Sequence, residues 1–306
     1  MSFIQRPVFE WKLRTRSLSL GRRTVVMGVL NVTPDSFSDG GRFLSPTKAV
    51  AQALHMLDDG AEILDIGGES THPRSQRDLS ALEEQQRVLA VIAAILRERP
   101  RAILSIDTYK AETARMAVSE GVEIVNDVSG LQWDPEMAAA CAELECGVVL
   151  MHTRGRPEEW KQQPRLAPDA VLPLVRDELR AHAEVALQAG VARERIALDP
   201  GFGFGKLLAE NYPLLAQLGE LHALGFPLLV GTSRKSFLGK AIAMLNHGIE
   251  PAPEDRLYAT IASTTAAILA GVQMVRVHDV RPALEAAAIA DEVLAHAQRA
   301  GDVSLP

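Results

Sequence analysis

A single (β/α)8 TIM barrel, of the α/β class, is the fold the sequence predicts, and three observations predict it. Short apolar runs rich in β-branched residues recur eight times along the 306 residues. Stretches of Ala, Leu, Glu and Arg with helical periodicity separate them, which implies repeated strand–helix–strand units. No linker or change of composition divides the chain, so one eightfold barrel fits better than two dinucleotide-binding halves. Strands that are apolar throughout belong to a parallel sheet covered on both faces.

Residues 1–23 precede the first repeat and are read as an extension capping the bottom of a barrel that spans 24–300. The extension is basic but has no apolar run, so no signal peptide is expected. The strands follow as TVVMGVLN (24–31), EILDIGG (62–68), AILSIDT (102–108), EIVNDVSG (123–130), GVVLMHT (147–153), RIALDPG (195–201), PLLVGTS (227–233) and QMVRVHD (273–279). Helical periodicity marks 47–60, 82–99, 110–121, 135–147, 171–190, 254–271 and 282–300. The longest uncharged stretch, 257–275, is rich in Ala and Thr and interrupted by Gly271, and reads as a helix running into a strand rather than a membrane span.

Composition narrows the function. A net charge of −7 argues against nucleic acid and anionic membranes as partners, both of which need a basic surface. A small anionic substrate stays open, because a cleft can be locally positive. Cys141 and Cys146 have no metal-ligand spacing and read as ordinary thiols of a reducing, cytoplasmic compartment.

Barrels react at the C-terminal ends of their strands. Here those ends carry Asn31, Asp65 with Glu69 and Thr71, Asp107, Asn126 with Asp127, Met151 with His152, Asp199, Ser233 with Arg234 and Lys235, and Arg276 with His278. One such group is usually a cap or a satisfied core residue. Eight at one end imply a ligand, since burying them otherwise costs stability. Asp107, Asn126 and Asp199 suit the amino-amidine edge of a flat heterocycle of the guanine or pterin kind, and Lys235 can donate to its carbonyl. Arg234, Lys235, Arg276 and His278 form a cationic set from strands 7 and 8, where barrels hold phosphate.

Several stretches are set aside. DPGFGFGK (199–206) has neither P-loop nor dinucleotide spacing, and its glycines are read as turning Phe202 and Phe204 toward the mouth. His55, His182, His222 and His247 are read as surface residues. Arg154 and Arg156 are read equally well as an anion loop or a solvated turn.

The segments MGVLNVTPDSFSDGG (27–41), GAEILDIGGEST (60–71), SIDT (105–108), NDVSG (126–130), LMHTRGRP (150–157), LDPGFGFGK (198–206), GTSRKSFLG (231–239) and RVHDV (276–280), in this order, resemble the dihydropteroate synthases of the folate pathway. The resemblance implies condensation of 6-hydroxymethyl-7,8-dihydropterin diphosphate with p-aminobenzoate, with loss of pyrophosphate. It implies that Asp107, Asn126, Asp199 and Lys235 hold the pterin, with Met151 packed on it. Asn31, Arg276 and His278 would hold the diphosphate, with Mg2+ near Asn31. Phe37, Thr71, Pro73, Phe204 and Ser236 would shape the p-aminobenzoate pocket, the sulfonamide site of the family. It also implies a homodimer, for which the helix over 254–270 is one face among alternatives, a buried core helix fitting equally well.

One segment departs from the family pattern. The usual Ser-Thr-Arg-Pro-Gly is Ser70-Thr71-His72-Pro73-Arg74 here, so Arg74 is expected to supply the missing cation. Two other functions compete: a methyltetrahydrofolate-dependent methyltransferase domain, which has no need of the SRKS and RVHD clusters, and a non-catalytic pterin-binding paralogue. The eleven-residue loop NVTPDSFSDGG (31–41) is longer than a strand-to-helix turn requires and is read as a lid carrying Phe37.

Overall fold

The computed structural model describes residues 5–33, 46–69 and 79–302, with side chains as far as 297. Two short strands, β1 (Phe9–Lys12) and β2 (Ser17–Leu20), form an antiparallel hairpin. Eight parallel strands follow: β3 (Val25–Asn31), β4 (Ile63–Gly67), β5 (Ile103–Asp107), β6 (Ile124–Asp127), β7 (Gly147–Met151), β8 (Ile196–Asp199), β9 (Leu229–Val230) and β10 (Met274–Val277). Their order is β8-β7-β6-β5-β4-β3-β10-β9, and a parallel bridge between Leu198 and Leu228 brings the two edges together. The result is the eight-stranded barrel expected from the repeats.

Strand side chains alternate between the two faces of a sheet, and here the alternation separates two cores. Val26, Leu64, Leu104, Val125, Val148, Leu198 and Val275 face outward and pack under the helices. Val25, Met27, Ile63, Ile124, Val149, Ala197, Leu229 and Met274 face inward and fill the N-terminal half of the lumen together with Trp11, Leu13 and Leu20 of the hairpin. Gly147 lets the hairpin in: a Cβ there would stand 2.9 Å from Leu13 Cδ2. The hairpin is also latched by polar groups. Trp11 Nε1 donates to the Arg195 carbonyl at 2.8 Å, and Glu123 accepts from the Thr15 backbone N–H at 2.8 Å and from Arg16 Nε at 3.1 Å.

The outer layer consists of α1 (Pro46–Asp58), α2 (Ala81–Glu98), α3 (Ala111–Ser119), α4 (Met137–Leu144), α5 (Pro168–Gln188), α6 (Asn211–Ala216), α7 (Ser236–Ile242), α8 (Leu257–Leu269) and α9 (Val280–Asp302). A capping box starts α2, where Ser80 and Glu83 satisfy each other's backbone N–H groups. Periodicity does not reveal α6 and α7. Each is under two turns long, too short for an apolar stripe to repeat, and α6 continues into a 3-10 segment over 218–224. Among the described residues no helix is long and apolar enough to cross a membrane.

Candidate active site

The pairing register places Asn31, Gly67, Asp107 and Asn126 in one row along the C-terminal ends of β3 to β6. On the other side of the barrel Met151 pairs with Asp199. Asp65 stands two residues below Gly67 on β4, hence on the same inward face. Arg276 pairs with Met27, one layer lower still, and reaches up from β10.

Asp65 is the hub of the polar floor. Wholly buried, its Oδ2 accepts from Arg276 Nε at 2.6 Å and from Asn126 Nδ2 at 2.9 Å. The other arm of Arg276 donates through Nη2 to Asp107 Oδ2 at 2.7 Å. With Nδ2 of Asn126 committed to Asp65, the amide as placed by this network turns Oδ1 toward the mouth. Three acceptors therefore line the pocket: Asp107, Asn126 Oδ1 and Asp199. Sequence reasoning places Asp65 at a strand end without giving it a role; its parity with Gly67 and Asp107 is the signal that could have found it.

Burial sets the electrostatics. It pushes Asp107 up to about 7, with Asp65 adding to the rise and Arg276 opposing it. It pushes Asp199 up to about 6, against the pull of the Gly201 N–H, which donates to Asp199 Oδ1 at 2.7 Å. Lys235 goes down to about 7, through burial and the nearby Arg276, against the pull of Asp199 and Asp107. Arg276 stays above its ordinary value despite burial, because Asp65 and Asp107 flank it.

The cationic set read from strands 7 and 8 is smaller than expected. Arg234 is neutralised by Asp279, with Nη2 2.7 Å from Oδ1. Burial and Arg276 drive His278 down to about 3, so its ring is neutral at physiological pH. Ser233 Oγ accepts from the His278 backbone N–H at 3.2 Å and lies 2.9 Å from His278 Nδ1. The Ser233 hydroxyl proton is thus available to Nδ1, which leaves Nε2 as the ring's N–H donor. Of that set, Lys235 and Arg276 remain as cations of the mouth among the described residues. Arg234, just before Lys235, sits in left-handed backbone (φ 59°), a strained conformation for a non-glycine residue.

An apolar wall completes the pocket. Val128, Met151, Trp160 and Phe204 pack together, with Tyr109 and Trp133 against them. Lys235 Nζ stands 3.9 Å from the centre of the Phe204 ring, and Trp160 meets that ring edge-on at 5.2 Å. Asn31 is half-buried in the same row as Asp107 and Asn126, and Ser236, the first residue of α7, is exposed. Among the described residues, no group of three or more His, Cys, Asp or Glu could hold a metal. Phe37, Thr71 and Pro73, with His72 and Arg74, lie outside the described residues.

The structure corrects several readings, those of Asp127 and His152 through the same alternation. Asp127 and His152 face outward: Asp127 accepts from the backbone N–H groups of Ser129 and Leu131, at 2.7 and 2.8 Å, and His152 lies beneath the 199–206 loop. Phe202 is in the outer core, stacked on Phe237 at 6.1 Å, and only Phe204 turns to the mouth. Arg154 is buried and structural, donating to the carbonyls of Pro164 and Gly205. His182 is buried against Gln132, and His222 is half-buried beside the Ala270 carbonyl; neither is a surface residue.

A family profile described as pterin binding enzyme matches residues 27–278. The dihydropteroate synthase of Synechocystis is 42% identical over 93% of this chain and 92% of its own. The chain belongs to the dihydropteroate synthase family. Two solved dihydropteroate synthases extend the likeness to the fold. The enzyme of Xanthomonas albilineans, bound to 4-aminobenzoic acid, has a TM-score of 0.82 at 38% identity, covering 95% of this chain and 99% of that one. The Yersinia pestis enzyme, in a sulfonamide drug complex, has a TM-score of 0.83 at 40% identity, covering 94% and 100%.

Proposed function

We propose that this dihydropteroate synthase family member joins 6-hydroxymethyl-7,8-dihydropterin diphosphate to p-aminobenzoate, releasing 7,8-dihydropteroate and pyrophosphate. The observation that carries the reading is the acceptor set Asp107, Asn126 Oδ1 and Asp199 converging in one pocket with the donor Lys235. That pattern complements a ring offering amino and ring N–H donors on one edge and a carbonyl on the other. Met151 and Phe204 supply apolar contact for the ring and its neighbour. Thr71, Pro73 and Phe37 are assigned to the p-aminobenzoate pocket by resemblance alone, and Ser236 by resemblance and its position beside Lys235.

The arylamine is already a nucleophile, so no strong general base is required. Its nitrogen lone pair forms the new C–N bond at the pterin methylene. The C–O bond to the diphosphate breaks with its electrons on oxygen, and the amine loses one proton to solvent. Expelling the diphosphate is the difficult part. By resemblance Arg276 and the His278 Nε2–H are assigned to the diphosphate, and fixed donors at a developing charge are typically worth several kcal/mol. The electron-rich dihydropterin disperses positive charge at the methylene, which favours a dissociative path with pyrophosphate leaving first.

Mg2+ fits as a partner of the diphosphate. The ion prefers oxygen ligands and usually pairs one or two protein oxygens with substrate phosphates and water. The described residues offer no protein cage, but they do offer the Asn31 amide at the end of β3. When bound, the ion neutralises charge on the leaving group. The free, buried thiols of Cys141 and Cys146 suit a reducing cytoplasm. Tyr258, exposed near the start of α8, supports a homodimer through that helix. Light scattering on the purified protein tests this assignment.

Release of pyrophosphate from the pterin diphosphate, dependent on both p-aminobenzoate and Mg2+, is the expected result of the deciding assay. A chain that binds the pterin and releases none is instead a non-catalytic paralogue. Positional isotope exchange within the diphosphate tests the dissociative path, and an associative inversion at the methylene would exclude it.

A further inference from the structure

Behind the pocket wall lies a buried lysine that the chemistry above does not use, pushed down to about 7 by its burial. Lys206 ends the glycine-rich stretch after β8 and is 5% exposed. Its Nζ lies 2.8 Å from the Gly201 carbonyl oxygen, 2.8 Å from His152 Nδ1, 3.3 Å from the Phe204 carbonyl oxygen and 3.4 Å from that of His152. An ammonium has three protons and no acceptor, so these contacts account for all of them. The His152 ring, itself wholly buried, is braced on its far side by Glu178, whose Oε2 is 2.9 Å from Nε2. Burial and Lys206 push His152 down to about 3, so its ring is neutral and Nδ1 can accept.

The loop tied down in this way has almost no slack. A Cβ on Gly201 would stand 1.9 Å from the His152 carbonyl oxygen, and one on Gly205 would stand 2.6 Å from Arg154 Cβ. The loop therefore lies pressed against the chain leaving β7, with the lysine threaded beneath it. On its other side the same loop carries Asp199, through the Gly201 N–H, and Phe204, whose ring borders Lys235. Among the described residues no carboxylate touches this ammonium, and a buried charge so placed is costly to keep, where Met or Leu would fill the space more cheaply.

We propose that Lys206 is a positioning residue for the pterin end of the site: it draws the carbonyls of Gly201 and Phe204 and the ring of His152 onto one ammonium, and so holds the 199–206 loop in the shape that presents Asp199 and Phe204. The proposal rests on the pterin assignment above, and its test separates the two.

The experiment compares the full-length chain with Lys206→Met by hydrogen exchange, and by titration with 6-hydroxymethylpterin as the probe. Backbone amides of 199–206 are expected to exchange at least tenfold faster in the variant, while those of Gly147–Met151 keep their protection. The pterin dissociation constant is expected to rise about tenfold. Loop protection and affinity both unchanged would overturn the proposal, as would an equal loss of protection in loop and strand, which is the mark of a merely structural lysine. If Lys206→Met does not fold, Glu178→Gln takes its place, since Glu178 is partly exposed; a threefold rise in loop exchange is then expected, and none overturns it. Failure of the wild-type chain to bind the probe refutes the pterin assignment instead, and the loop exchange alone then decides the role of Lys206.

Discussion

Replacing Asp65 by Asn tests the polar floor directly. The swap conserves shape but removes the charge that Arg276 Nε meets at 2.6 Å, on a side chain that is only 19% exposed. It also puts an amide where Asn126 Nδ2 now finds a carboxylate oxygen at 2.9 Å. Hydrogen bonds to charged groups contribute about 1.5–3 kcal/mol each. Losing one and weakening the other to a neutral acceptor should cost about 2–4 kcal/mol of folding stability, read as the shift in urea unfolding. The functional effect is separate. The new amide of Asp65→Asn can donate to Asn126 Oδ1 and turn that side chain round, so that a donor faces the ring where an acceptor is needed. A mismatch worth about 1–3 kcal/mol raises KM for the pterin substrate about five- to 150-fold. Asp107 should also titrate lower, because the neighbouring negative charge that helps hold it near 7 is gone. A variant within about 0.5 kcal/mol of the wild type, a scatter typical of harmless substitutions, and with an unaltered KM would refute the role of Asp65 as hub.

Three further outcomes are expected. The profile of kcat/KM for the pterin substrate against pH should be bell-shaped: as pH falls through about 7 and then 6, Asp107 and Asp199 gain protons and stop accepting, and as it rises through about 7, Lys235 loses its charge. A flat profile across that range would remove these groups from binding. Trp11→Ala should cost about 3–5 kcal/mol in urea unfolding, the usual range for emptying a fully buried aromatic site, with kcat unchanged because the hairpin is at the far end of the barrel; a lowered kcat would contradict that separation. Arg74→Ala should raise KM for the diphosphate substrate, and an unchanged value would end the idea that Arg74 replaces the family's usual arginine.

Much of this arrangement is legible in residue order alone. Eight apolar runs with polar ends predict the barrel and the end where its polar side chains gather, and Asp107, Asn126, Asp199, Lys235 and Arg276 do meet there. What residue order hides is decided by the two-residue period of a strand. Asp127 and His152 each follow an inward-facing residue by one position, so both turn away from the lumen, and Phe202 and Phe204 separate because Gly203 between them takes left-handed backbone (φ 79°). Charge compensation is equally hidden: nothing local to Arg234 says that Asp279 neutralises it, nor that burial and Arg276 keep His278 neutral. The role of Asp65 is invisible because its partners, Asn126 and Arg276, lie 61 and 211 residues away.

The hairpin plug has a kinetic meaning. With Trp11, Leu13 and Leu20 seated in the lumen, traffic through the barrel is one-way in geometry and two-way in time: whatever reaches the floor enters and departs by the mouth. On the proposed reading the pterin contacts Asp107 and Asn126 at the bottom of a blind well, while the second substrate sits nearer the rim. The arylamine then closes the exit over the first substrate once it arrives. Steady-state kinetics should accordingly be sequential with the pterin diphosphate first, and excess p-aminobenzoate should not compete for the deeper position.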